Sequence, residues 1–332
     1  MTALSLDIAF WNYDRTRLLS DGSVGIKGVE PRFHSARIVP EIFEQMIRER
    51  AYDVSELGMT YFLRTFDGAD PPFLVLPVFI ARCFRHSAIY INKEKGIARP
   101  EDLAGKRIGE LGLYGHDAGV MAKGVLSDEF DVRPEQCRWI VGGIDFPMKP
   151  IEFVSHPVPP GVEVEWADEH VDLGDLLERG EIDALISADA PRCLLEGSPK
   201  VGRLFEDYEA VERDYFRRTG IFPIMHLVAV KRELAGEPDL LRAVYDGFCK
   251  AKDGMIEQYE KGLTFMQVAN MVPWFAHLIE RDRALIGRDW WPYGVSANRT
   301  AVDAVLRYHH EQGLTKRQYT CEDIFVPSLL NT

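Results

Sequence analysis

Arg99-Pro-Glu-Asp-Leu-Ala-Gly-Lys-Arg-Ile-Gly109 reads as a short helix that turns directly into a strand. Working outward from it, residues 117–128 read as a helix, 138–141 as a strand and 173–179 as a helix. Residues 184–187 are a strand ending in Ala188-Asp-Ala-Pro-Arg192. Short apolar strands alternating with amphipathic helices are the pattern of parallel α/β layers. The stretch from about 92 to 187 is therefore a self-sufficient α/β block. Upstream, residues 4–10, 52–56, 74–80 and 87–92 read as strands. Residues 40–50 read as a helix with Ile42, Phe43, Met46 and Ile47 on one face. Downstream, residues 225–230 form one more strand, and 240–310 are mainly helical. The proline-rich stretch 147–161 reads as a surface excursion. A block inserted into a chain that resumes its first sheet gives an α/β protein with two lobes. The expected division is 1–90 plus 227–332 for one lobe and 91–226 for the other, with crossovers near 88–92 and 223–228. Ligand sites in such folds lie in the cleft between lobes, at the ends of strands.

The chain has 332 residues, 46% of them hydrophobic and 27% charged, the mixture of a globular protein large enough for two domains. Its formal charge is −13. That argues against a nucleic-acid partner, whose phosphates need a basic surface, and makes an inward cluster of arginines more informative. The longest apolar runs fall far short of the ~18 residues that span a bilayer. Met1 is followed almost at once by Leu4-Ser-Leu-Asp-Ile-Ala-Phe10, which reads as a core strand and not as a signal peptide, so a cytoplasmic location is expected. The five cysteines are scattered and lack CxxC spacing, which favours reduced thiols over a disulfide framework or a zinc ribbon. There is no GxGxxG, Walker loop or GxSxG elbow.

The strings Asp102-Leu-Ala-Gly-Lys-Arg-Ile-Gly109 and Gly180-Glu-Ile-Asp-Ala-Leu185 resemble the second lobe of type 2 solute-binding proteins. Further stretches narrow the match. Phe10-Trp-Asn-Tyr-Asp-Arg15, Asp53-Val-Ser-Glu-Leu57, Pro77-Val-Phe79 with Phe84-Arg-His-Ser87, and Pro199-Lys-Val-Gly-Arg-Leu-Phe-Glu-Asp207 are four of them. Ile221-Phe-Pro-Ile-Met-His226 and Tyr293-Gly-Val-Ser-Ala-Asn-Arg299 complete the set. Together they resemble the 4,5-dihydroxyphthalate decarboxylase family nearly end to end. One departure stands out: where that family carries a Pro-Glu-Tyr-Gln-like stretch, this chain reads Glu110-Leu-Gly-Leu-Tyr-Gly-His-Asp117. The resemblance implies a type 2 periplasmic-binding-protein-like fold with a helical C-terminal tail. It also implies loss of CO2 from 4,5-dihydroxyphthalate, or a close analogue, to give protocatechuate. A solute-binding protein or a cytosolic sensor for an aromatic carboxylate is the competing reading. The partner expected is a small aromatic carboxylate, with no membrane, and self-association is left open.

Such a decarboxylation needs cationic clamps for carboxylates, a base at the phenol and an acid at the ring carbon, and requires no redox cofactor. Arg15 and Arg192 follow strand ends, Arg82 and Arg85 flank the first crossover, and Arg299 lies in the helical tail. Arginine pairs bidentately with carboxylate, so these five, with Tyr114 and His226, are the expected substrate contacts. His86 is the expected ring-facing acid and His116 the phenol-side base, with Glu56 orienting one of them. No metal is expected. The alternative is a divalent ion held by His86, His116, His226 and a carboxylate, for which no HxH or HExxH spacing speaks.

Overall fold

The structure, a computed structural model, describes residues 3–68, 70–265 and 271–332. Four strands come first: Leu4–Ala9 (β1), Val29–His34 (β2), Val54–Gly58 (β3) and Phe73–Arg82 (β4). Six follow: Ile89–Asn92 (β5), Arg107–Leu111 (β6), Arg138–Gly142 (β7), Glu163–Trp166 (β8), Ala184–Ile186 (β9) and Val201–Arg203 (β10). Ile224–Lys231 (β11) then returns to the first group. The strands make two sheets, ordered β2-β1-β3-β11-β4 and β10-β5-β9-β6-β7-β8. The mixed α/β class read from the sequence is the class observed. The chain leaves the first sheet after Arg82, enters the second at Ile89 and comes back at Ile224.

The helices are Asp14–Ser20 (α1), Val39–Glu49 (α2), Met59–Arg64 (α3), Asp117–Phe130 (α4), Leu173–Arg179 (α5) and Arg192–Leu195 (α6). They continue with Tyr208–Thr219 (α7), Pro238–Phe265 (α8), Phe275–Ile286 (α9), Arg299–Glu311 (α10) and Cys321–Ile324 (α11). Two expected strands shift. The one read at 52–56 runs over Val54–Gly58, because its pairing is set by Ile8 opposite Val54 on one side and His226 opposite Gly58 on the other. The one read at 87–92 begins as a single tight turn, His86–Ala88, and pairs only from Ile89.

β4 is apolar almost throughout, yet it lies at the end of its sheet. Proline is tolerated on an edge strand, where its missing N–H is not needed, and Pro77 sits there. The exposed edge is covered by the C-terminal tail. Val326 N–H donates to Val75 O at 2.9 Å, Gly294 N–H to Pro77 O at 2.8 Å, and the Trp291 indole to Phe79 O at 2.9 Å. Covering removes an unpaired strand edge that would otherwise invite pairing with another chain.

α4 is buried on every side over its first three turns, as expected of a helix clasped between layers. Two of its glycines permit this. A Cβ at Gly124 would collide with the Tyr308 ring of α10, and one at Gly119 with the Glu110 carboxylate of β6. α10 and the residue that caps it hold α4 further, through the Arg307–Asp128 ion pair (2.5 Å) and the Gln312 amide on Val120 O (2.8 Å). The N-terminus of α4 is thereby pressed against the first sheet.

Candidate active site

Glu56 and His226 come from adjacent antiparallel strands. Glu56 lies opposite Val228, so His226, two residues along, is its diagonal neighbour on the same face. The residue opposite His226 is Gly58, which contributes no side chain of its own and so leaves room for side chains from other elements. Glu56 is fully buried and accepts three hydrogen bonds: Trp11 N–H at 2.8 Å, the Tyr13 hydroxyl at 2.6 Å and His226 Nδ1–H at 2.7 Å. A carboxylate oxygen accepts, so Nδ1 carries the proton of this bond, and in the neutral imidazole Nε2 is left as an acceptor. The imidazole is steered by the edge of Phe43, 5.1 Å away at 90°. Burial, and then the Glu56 charge, push the Tyr13 phenol far above its ordinary range, so it stays a donor at neutral pH.

The second sheet supplies the opposite wall. Asp117, the first residue of α4, projects into the gap above Gly58, where a Cβ would collide with its Oδ2. Its Oδ1 accepts from Thr60 N–H at 2.8 Å, and its Oδ2 stands 3.9 Å from His226 Nε2. Behind it lies a buried ionic network. Glu110, fully buried, accepts from Gly115 N–H (2.8 Å), His116 Nδ1–H (3.1 Å) and the Lys123 ammonium (2.6 Å). Burial raises the Glu110 carboxyl, but Lys123 and His116 more than offset this and hold it below its usual value. Burial also brings the Lys123 ammonium down to about 8. The ammonium lies over the rings of Tyr114 and Trp139, 3.8 and 4.6 Å from their centroids. Arg64 closes the network by donating to the carbonyls of Tyr114 and Gly115.

The expected site residues distribute unevenly. Glu56 and His226 meet, with Glu56 orienting His226 and not His86 or His116. Arg15 reaches the same region. It donates to Ile80 O and to Asp14 Oδ1 (3.1 Å), and its guanidinium is sandwiched between Tyr13 and Trp291. Arg85 donates to the sulfur of Met225, the residue before His226, at 3.0 Å. Arg82 is buried between Phe79 and Phe222, donates to the Asn298 carbonyl, and has no carboxylate within ion-pair distance among the described residues. It lines a cavity of about 320 Å³ that shares the Trp291 and Phe222 walls.

Other expectations are corrected. His86 is not at a proton-transfer surface: its ring packs against Phe205 and Tyr215, and its Nδ1 is buried without a partner. Burial lowers it to about 4, so it is neutral at pH 7. His116 is at the N-terminus of α4 as expected but is turned onto Glu110. Tyr114 is core, beneath Lys123. Arg192 is exposed, contributing only its backbone N–H to Asp145, and Arg299 pairs with Glu322 at the surface. Neither makes a contact with Glu56 or His226 among the described residues. Among the described residues, no three His, Cys, Asp or Glu side chains are grouped so as to hold a metal ion, and His86, His116 and His226 lie in three different surroundings. Tyr13, Asp117, Glu110 and Lys123 were not anticipated. A charged residue inside the apolar run Ile108-Gly-Glu-Leu111, and Lys123 amid Val120-Met-Ala-Lys-Gly-Val125, were the available signals.

Two α/β sheets, joined by two crossovers and facing each other across a carboxylate–histidine pair, define a type 2 periplasmic-binding-protein architecture. The alkanesulfonate-binding protein of Xanthomonas axonopodis pv. citri has this fold: it superposes with a TM-score of 0.53 over 100% of both chains at 14% identity. No family model matches the chain. Sequence relatives are more specific. The 4,5-dihydroxyphthalate decarboxylase of Comamonas testosteroni is 35% identical, covering 100% of this chain and 99% of its own length. That of Pseudomonas putida is 37% identical over 65% of this chain and 83% of its own. The chain belongs to the 4,5-dihydroxyphthalate decarboxylase family and is an enzyme of the carboxy-lyase class.

Proposed function

We propose that the protein removes CO2 without oxidation from a hydroxylated aromatic dicarboxylate, 4,5-dihydroxyphthalate or a close analogue, leaving protocatechuate or the corresponding phenolic acid. The observation that carries this reading is the Glu56–His226 pair. It anchors the imidazole through Nδ1 and aims Nε2 toward Asp117 on the second sheet, with Arg15 stacked on Tyr13, the residue that also bonds Glu56. A carboxylate cannot leave a plain ring, because its electron pair has nowhere to go. His226 Nε2 takes the proton of the hydroxyl para to the departing carboxylate, and the phenolate pushes density onto the ipso carbon. A proton drawn from solvent adds there and gives a dienone. Loss of CO2 then returns the C–C electron pair to the ring, and His226 gives its proton back to the phenolate oxygen. The net change is one proton gained on carbon and one CO2 released. Glu56 keeps the imidazole in the required tautomer, and Tyr13 and Trp11 N–H fix Glu56 in turn. Arg15, with Arg85, holds the carboxylate end, where planar bidentate pairing is available.

The two sheets act as the two lobes of this reading, 1–90 plus 227–332 and 91–226, with the substrate between them. No organic cofactor enters the chemistry, and a cytoplasmic site of action suits a catabolic enzyme. Among the described residues, no helix is long and apolar enough to cross a membrane. The test is direct: purified protein is incubated with 4,5-dihydroxyphthalate while CO2 and protocatechuate are followed together. Stoichiometric release of both supports the reading. Tight binding of the unchanged acid, with no CO2, would replace it with a receptor or sensor.

A further inference from the structure

We infer that Asp117 is a specificity-determining residue that reads a second, vicinal hydroxyl on the substrate ring. The inference rests on the reading of His226 as the phenol-side base. The space between the two sheets is bordered at this point by two groups that both accept and neither of which donates. With its Nδ1 proton committed to Glu56 at 2.7 Å, the neutral His226 imidazole offers an acceptor at Nε2. Asp117 Oδ2 is an acceptor because a carboxylate has no proton to offer, and its other oxygen is already taken by Thr60 N–H at 2.8 Å. The two atoms are 3.9 Å apart, beyond hydrogen-bond distance, so they do not satisfy each other. Among the described residues no other donor reaches Oδ2.

Counting protons then selects the ligand. A ring with one hydroxyl brings one donor and leaves one of the two acceptors unmet. A vicinal diol brings two donors on adjacent carbons, one for Nε2 and one for Oδ2. Sites built to hydrogen-bond a substrate hydroxyl discriminate strongly against the analogue that lacks it, because the buried protein group is left unpaired. The same pair sets the orientation of the ring. With Glu56 behind His226 and Asp117 beside it, this end of the site is anionic and repels carboxylates, which turns them toward Arg15 and Arg85. Asp117 is held in place by its neighbours: Gly58 leaves the gap it fills, and α4 is fixed through Gly124 against Tyr308.

The test compares kcat/KM for 4,5-dihydroxyphthalate and 4-hydroxyphthalate in the wild type and in Asp117→Asn. Asparagine keeps Oδ1 for Thr60 N–H but turns the second atom into a donor. The wild type is expected to prefer the diol by 10- to 100-fold, and Asp117→Asn to lower that ratio at least tenfold. Asp117→Ala, followed by calorimetric binding of protocatechuate against 4-hydroxybenzoate, gives the same ratio without turnover. Diol turnover by the wild type with a ratio unchanged in both variants would overturn the role of Asp117 alone. Absence of turnover on either acid would overturn the base reading and this inference with it.

Discussion

Replacing His86 with leucine separates a structural histidine from a catalytic one, and the size of the effect follows from its surroundings. The ring is 2% exposed, packed on Phe205 and Tyr215, and burial holds its folded pKa at about 4 against the ordinary 6.5. Above about pH 6.5 neither the folded nor the unfolded chain protonates it. As pH falls below 6.5 the unfolded state takes up a proton that the folded state refuses until about pH 4, so stability is lost across that window. One pH unit of differential protonation is worth about 1.4 kcal/mol, so between pH 7.5 and 4.5 the loss from this one group is about 2.5 kcal/mol. Urea unfolding at the two pH values measures it. The wild type should lose about 2.5 kcal/mol more than His86→Leu over that interval, while His86→Leu decarboxylates within threefold of wild type at pH 7.5. His309, buried and also lowered by burial, adds a loss of the same sign to both proteins and cancels in the comparison. Equal pH dependence in the two proteins would refute the burial argument. A hundredfold fall in turnover of the leucine variant would return His86 to the catalytic set.

Three further outcomes follow from contacts elsewhere. Lys123→Met leaves the Glu110 carboxylate buried without its cation, and should destabilise the fold by about 3–5 kcal/mol in urea; a change under 1 kcal/mol would contradict the pairing. Gly124→Ala drives a methyl group into the Tyr308 ring and should lower stability by about 1–3 kcal/mol, seen as a lower thermal midpoint. Arg15→Ala should weaken binding of the aromatic dicarboxylate by about 1.5–3 kcal/mol, read as a raised KM and a weaker calorimetric Kd, whereas Arg299→Ala, which removes a surface pair with Glu322, should leave both unchanged.

Much of the architecture was legible because apolar patterning sets it. The strand at 4–10, the helix at 173–179 and the return strand at 225–230 lie where their apolar runs place them, to within a residue at most of their ends. What escaped has a common cause. α7, with the sequence Tyr-Glu-Ala-Val-Glu-Arg-Asp-Tyr-Phe-Arg-Arg-Thr, is half charged and buries only Tyr215 fully, so no apolar stripe announces it. β2, with exposed alternate residues and an internal proline, owes its existence to pairing with β1. The site was half legible. Glu56, Arg15 and His226 were each singled out, but the bond between Glu56 and His226 spans 170 positions and depends on the β3–β11 register, which local sequence does not fix. His86 reads as a ring-facing acid in the sequence, but the turn at His86–Ala88 packs its ring against Phe205 and Tyr215. Asp117 became visible only once Gly58 was seen to leave room for it.

The account rests on Glu56 and His226 acting as one proton-transferring unit. Its most direct test is CO2 release from 4,5-dihydroxyphthalate by His226→Gln and Glu56→Gln, measured beside their affinity for the unreacted acid. General acid–base groups contribute about 10²–10⁴-fold. Each variant should therefore lose turnover by about that factor while still binding the acid, and the double variant should be little worse than either single one. Near-wild-type CO2 release from His226→Gln would contradict the account.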